Sequence, residues 1–213
     1  MTVDHILAGL QGRKVTLRDW VLDDHDHGPD RDASWKRPGH RWQEFDGSRY
    51  PRASDAKTTP TATPTASIAS LRSTIVASTW FVPRSPLAIA DLESGELHGF
   101  VSWDRENRET NWPNAGITLF DHGTKGKGIG FDALGWWSDC HFATEPAIGL
   151  LDLPTWPGGH GMKHLAGNLG YVREARFCRA RIVNGLHDGG MGYGILRDEW
   201  TIRYPNGFAA FCS

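Results

Sequence analysis

Residues 115–140 read AGITLFDHGTKGKGIGFDALGWWSDC, and this stretch decides the fold. Ala115 to Phe120 is an apolar run suited to a strand. His122 to Gly130 carries four glycines within eight positions, and Ile129, Ala133, Trp136, Trp137 and Cys140 then recur at helical spacing. The unit is strand, glycine loop, helix. Such a loop puts backbone N–H groups, with no side chains in the way, at the positive end of a helix, and Lys125 and Lys127 add positive charge. A pyrophosphate-bearing ligand fits this chemistry, and so does a plain tight connection. Two familiar phosphate loops do not fit. A Walker A loop needs Lys-Ser/Thr after its last glycine, where this chain has Phe131-Asp132, and a dinucleotide fold needs a parallel sheet.

The flanking sequence denies a parallel sheet. Upstream, Leu87–Asp91 and Leu97–Trp103 are apolar runs separated by ESGE, whose Ser94-Gly95 can turn an antiparallel hairpin. Lys14–Trp20 alternates Val15 and Leu17 with polar neighbours, as a strand with one buried face does. Downstream come a strand at Ile148–Leu153 and a helical face of Met162, Leu165, Ala166 and Leu169 that stops at Gly170. Strands at Ala175–Val183 and Met191–Leu196 close the chain. Ser67–Ser78 has an apolar helical face, and residues 53–66, rich in Thr and Pro, are expected to form a flexible surface loop. The expected fold is α/β (α+β): a mixed, mostly antiparallel central sheet flanked by helices.

Composition bounds the function. The 213 residues are expected to form one domain, 1–213, and 39% hydrophobic content with ten Trp and nine Phe supplies a core. A net charge of -2 disfavours general nucleic-acid binding. Cys140, Cys178 and Cys212 have no short metal or redox spacing and read as reduced cytosolic thiols. Nothing approaches the ~18 apolar residues of a membrane span, so the expectation is a cytoplasmic protein without membrane partners.

The order and spacing of these elements resemble the GNAT superfamily of N-acetyltransferases, particularly its RimJ/RimL-like branch. The resemblance runs through GRKVTLRDW (12–20), GELHGFVSW (95–103), the KGKGIG loop, with Lys125 in place of the usual Gln or Arg, and LAGNLGYVREARFCRARIVNGLHDGGMGYGILRDEW (165–200) with its closing Glu199-Trp200. It implies that acetyl-CoA is the cosubstrate and that the acceptor is an amine, either a small molecule or a protein N-terminus, attacked directly in a ternary complex. It implies no direct nucleic-acid partner, and a monomer or homodimer. Cofactor-binding residues would be Leu119 and Phe120, on a strand that splays from its parallel neighbour around the pantetheine arm, and Lys125, Gly126, Lys127, Gly128, Ile129, Gly130 and Phe131 around the pyrophosphate. A strand N–H near Phe120 would polarise the thioester carbonyl. Pro154 interrupts the neighbouring strand, which is tolerable if the ladder has opened there.

The match departs where the branch carries an Asn and a Ser or Tyr able to protonate the departing thiolate. Those places fall on Gly159 and Met162, neither a side-chain donor. His160 is the candidate substitute, and a cap or surface role is its alternative. A chain lacking the donor could instead be a weak or inactive acyl-CoA-binding sensor. Candidate bases are Asp104, Glu106 and Glu109, which could also be a solvated loop. Trp42, Phe45 and Tyr50 are candidates to line the acceptor pocket, or to be core aromatics, and Trp103 is a further candidate for that pocket. His25, His27, Asp23, Asp24 and Asp26 invite a metal reading, but without a separated further ligand no metal is assigned.

Overall fold

The computed structural model describes residues 10–21, 24, 86–120, 122–183 and 186–212. Trp42, Phe45, Tyr50, the 53–66 segment, the Ser67–Ser78 helix and most of the Asp/His cluster lie outside these residues. In chain order the elements are β1 (Leu10–Gln11), β2 (Val15–Arg18), β3 (Leu87–Asp91), β4 (Leu97–Asn107), β5 (Trp112–Leu119), α1 (Ile129–Thr144), β6 (Leu150–Thr155), α2 (His160–Leu169), β7 (Val172–Val183), β8 (Leu186–Leu196), α3 (Arg197–Arg203) and α4 (Gly207–Cys212). The described strands form one eight-stranded sheet in the order β1-β2-β3-β4-β5-β6-β8-β7. Every neighbouring pair is antiparallel except β5 and β6.

Local chemistry accounts for the hairpins. Asp91 Oδ1 accepts bonds from the Ser94 amide (2.8 Å), the Ser94 hydroxyl (3.0 Å) and the Glu93 amide (3.1 Å), and Gly95 takes φ 73°. These bonds hold the Asp91 carboxyl down at about 2. Several expected boundaries move. β4 continues through Asp104–Asn107 and β5 begins at Trp112, while β6 begins at Leu150 rather than Ile148, β7 at Val172 rather than Ala175 and β8 at Leu186 rather than Met191. The turn between β4 and β5 is closed by Asn107 Oδ1, which accepts the amides of Glu109 (2.8 Å) and Thr110 (3.0 Å). An Asx turn needs only one well-placed side chain and therefore leaves the strands free to run up to it. Helix α4 was not visible as a sequence pattern because GFAAFC is too short to show periodicity.

Strand alternation sorts the sheet into two faces. Val15, Leu17, Ile89, Val101, Ala115, Leu151, Leu153 and Ile195 join Ala133, Leu134 and Trp137 of α1, Ala166 and Leu169 of α2, Trp200 and Phe208 in one core. The opposite face carries Asp104, Asn114 and Asp152, aligned by the registers Asp104↔Asn114 and Asn114↔Asp152. Asp132, in the first turn of α1, ties the helix to the sheet: its Oδ2 accepts the amides of Lys14 (2.8 Å) and Val15 (3.2 Å).

Candidate active site: an opened strand pair beside a glycine loop

β5 and β6 share a single ladder pair, Asn114↔Asp152. Beyond it, toward the C-terminal ends of both strands, no ladder pair joins them among the described residues. Pro154 lies two residues past this last pair and is laddered to Gly192 of β8, with no β5 ladder partner among the described residues. The amide of Phe120 donates to His98 O at 2.8 Å and therefore faces β4. Alternation then turns the N–H groups of Leu119 and Ile117 toward the gap. Leu119 is thus the gap-facing N–H next to Phe120.

The loop stands at the open end of β5. Lys125, Gly126, Lys127 and Gly128 are exposed, and Gly126 (φ 76°) and Gly128 (φ 84°) adopt the left-handed conformation that glycine takes without strain. The first helical bond runs from Asp132 N–H to Gly128 O (3.0 Å), which leaves the amides of Ile129, Gly130 and Phe131 ahead of the helical ladder. A Cβ on Gly130 would stand 3.4 Å from Leu165 Cδ2 and 3.8 Å from Leu119 Cδ1, so β5, α1 and α2 meet at this point. Lys14 was not found from sequence. Its ammonium donates to Lys127 O and lies 3.3 Å from where a Gly128 Cβ would be. Arg13, Lys14 and Lys127 line a groove beside the loop together with Asp91, Leu92, Glu93 and Ile129. Only folding brings the β1–β2 turn to a loop more than a hundred residues away.

At the root of the gap sits Asp152. Burial pushes its carboxyl up to about 6, and the negative charges of Glu174 and Glu106 push the same way. Asn114, 8% exposed, donates from Nδ2 to Glu106 Oε2 at 2.7 Å. Sequence reading missed Asp152, although a lone acid within LLDLPT, between leucines that turn to the core, is the available signal. Asp104 is exposed on the same face, directly across the ladder from Asn114, while Glu109 is exposed in the β4–β5 turn. Trp103 departs from its expected place. One residue from Asp104, it turns to the α1 face and meets His141 edge-on at 5.6 Å.

Near the open end of β6, His160 begins α2 with an exposed side chain, and Met162 packs against the core. A Cβ on Gly159 would stand 2.5 Å from Thr155 Oγ1, so that hydroxyl holds the space a larger residue would need. Asp24, from the acidic run, is held by Arg18 through bonds of 2.5 and 2.7 Å, and no group of three His, Cys, Asp or Glu among the described residues is arranged to hold a metal ion. No helix among them is long and apolar enough to cross a membrane.

No family model matches the chain. Nor does any curated protein. Solved structures do. RimJ of Mycobacterium smegmatis, in complex with CoA-disulfide, aligns over 96% of this chain and 91% of its own, with a TM-score of 0.68 at 16% identity. The ribosomal-protein-S5-alanine acetyltransferase of Vibrio fischeri covers 90% and 98% with a TM-score of 0.66 at 17% identity. The microcin C7 self-immunity acetyltransferase MccE, in complex with acetyl-CoA and AMP, covers 87% and 93% with a TM-score of 0.63 at 13% identity. The fold of this chain is that of the GNAT acetyltransferases.

Proposed function

We propose that this chain transfers an acetyl group from acetyl-CoA to a primary amine by direct attack. The observation that carries the reading is the opened β5–β6 pair beside a loop with free-standing helix-end amides. The residues present fit the cosubstrate. Gly126 and Gly128 leave the loop backbone bare and exposed, the amides of Ile129, Gly130 and Phe131 point ahead of their ladder, and Lys14 and Lys127 supply positive charge. Lys125 and Gly130 complete the cradle, and Leu119 presents an N–H to the gap.

Bound acetyl-CoA supplies the thioester. The chain's own part is to hold, polarise and move a proton. Loop amides grip the diphosphate, and the Leu119 N–H donates to the thioester carbonyl as negative charge develops there. A carboxyl poised near 6 is mostly ionised at neutral pH and still basic enough to take an amine proton, so Asp152, rather than Asp104, Glu109 or His160, is the base. The C–N bond forms as the C–S bond breaks; the amine proton goes to Asp152, and the thiolate leaves and takes a proton from solvent, a fair leaving group near neutral pH. The cosubstrate's supply assigns the reaction to the cytoplasm.

A calorimetric titration with acetyl-CoA, followed by free-thiol release with a panel of amines, tests this. Saturable binding with amine-dependent thiol release is the expected result. Binding without release for any amine would instead favour an acyl-CoA sensor, the reading that the lack of a side-chain donor at Gly159 and Met162 favours.

A further inference from the structure

Helix α2 starts without a side-chain cap: Gly159 at its N-cap offers no such bond. The first helical bond runs from Lys163 N–H to Gly159 O (3.0 Å), which leaves the amides of Gly161 and Met162 ahead of the ladder. That end of the helix is positive. Thr155 stands against it. The residue is 7% exposed, and its Oγ1 lies 2.5 Å from where a Gly159 Cβ would be, which aims the hydroxyl at the helix start. A hydroxyl so placed ordinarily takes a cap bond. This one makes no hydrogen bond among the described residues, and its oxygen is not sealed from solvent.

Thr155 also belongs to the opened strands. Its ladder partner is Met191 of β8, and alternation sets its side chain with Leu151 and Leu153 on the helix side of the sheet. Three residues along each strand from the last β5–β6 pair, Asn114↔Asp152, come Ile117 and Thr155, which therefore mark the same level of the gap. On the helix side Ile117, Leu119 and Leu165 meet at Gly130 of the glycine loop. These side chains are apolar, and Thr155 adds a hydrogen-bond donor to them. A single hydroxyl, a helix end and apolar neighbours suit one polarisable anionic atom rather than a phosphate, which needs several donors.

We propose that Thr155 and the start of α2 receive the departing thiolate of CoA. This rests on the acetyl-transfer reading above. As the C–S bond breaks its electron pair passes to sulfur, Thr155 Oγ1–H donates a hydrogen bond to that charge, and the helix end adds its field. Thr155 keeps its own proton, and the sulfur takes one from solvent. The hydroxyl thus supplies from β6 the donor that Gly159 and Met162 cannot supply from α2.

The thiol pKa of bound CoA tests this without turnover. The full chain is saturated with CoA, and thiolate absorbance in the ultraviolet is followed against pH; the same chain loaded with desulfo-CoA subtracts the protein's own three cysteines. The bound thiol is expected to ionise about one pH unit below free CoA, as thiols beside helix N-termini do. Thr155→Val is expected to abolish at least about half of that shift, and Thr155→Ser to preserve it. In the valine variant alone kcat/KM with a primary amine should fall about tenfold, while CoA affinity by calorimetry below the thiol pKa stays within about twofold. Valine keeps the shape and removes a hydroxyl without a partner, so the melting temperature is expected to hold or rise. A bound thiol that ionises as free CoA does, or the same value in all three chains, would overturn the proposal and leave the acetyl-transfer reading standing. So would a lower melting temperature in the valine variant with the thiol unmoved, the mark of a structural hydroxyl. Failure of CoA to bind would overturn both.

Discussion

Asp152→Asn separates catalysis from stability at one position. Asn keeps the shape and removes the charge. As a general base, Asp152 is worth about two to four orders of magnitude in rate, so kcat/KM with a primary amine should fall at least about a hundredfold near neutral pH. The deficit should narrow above about pH 10, where the amine deprotonates itself. In the unaltered chain kcat/KM should rise with pH through about 6, the value to which burial and the two glutamates push this carboxyl. Stability should move the opposite way. A carboxyl raised in the folded state keeps its proton there while the unfolded chain loses it, so stability falls as pH climbs from about 4 to about 6 and stays lower above. In a sealed interior the effect would reach about 3 kcal/mol. Solvent access at this half-open site reduces it to about 1 kcal/mol. The variant should therefore gain about 1 kcal/mol at neutral pH and nothing below about pH 4, read by urea unfolding beside a thiol-release assay. A loss of activity equal at all pH values, or a loss of stability at neutral pH, would refute the role.

Three further outcomes follow from the geometry. Lys14→Ala removes the ammonium at the loop and should weaken acetyl-CoA binding about fivefold to tenfold in calorimetry, more at low salt than at high salt; an unchanged affinity would remove Lys14 from the site. Gly128→Ala forces a left-handed alanine and crowds the Lys14 ammonium, so it should cost about 1–2 kcal/mol in urea unfolding and weaken acetyl-CoA binding as well. His141 is 1% exposed, both ring nitrogens lack partners among the described residues, and burial pushes it down to about 3. Between that value and the unfolded one, about 6.5, only the unfolded chain takes the proton, so stability should drop by about 2 kcal/mol from neutral pH to about pH 5. His141→Phe should flatten that part of the thermal-melt profile, and an unchanged pH slope would contradict it.

What the sequence showed was local. Glycines at 126, 128 and 130 ahead of a helical pattern, Ser94-Gly95 between apolar runs, and Gly170 after Leu169 each act through the backbone of their own neighbourhood, and each stands where it was read. What it hid was long-range. Asp152 becomes a candidate base only because register sets it beside Asn114 and two bulges bring Glu106 and Glu174 alongside. Lys14 reaches the loop only because Asp132 pins the start of β2 to α1. Trp103 was misplaced by a single step of alternation, since a one-residue difference in a strand exchanges faces.

Amide chemical shifts during an acetyl-CoA titration, followed by two-dimensional nitrogen–proton NMR on labelled protein, test the central claim most directly. Loop amides that grip a diphosphate predict saturable shifts concentrated in Gly126–Phe131 and at Leu119, with the Phe120 amide, bonded to His98 O, moving far less. Saturable binding that leaves Gly126–Phe131 unmoved would contradict the account.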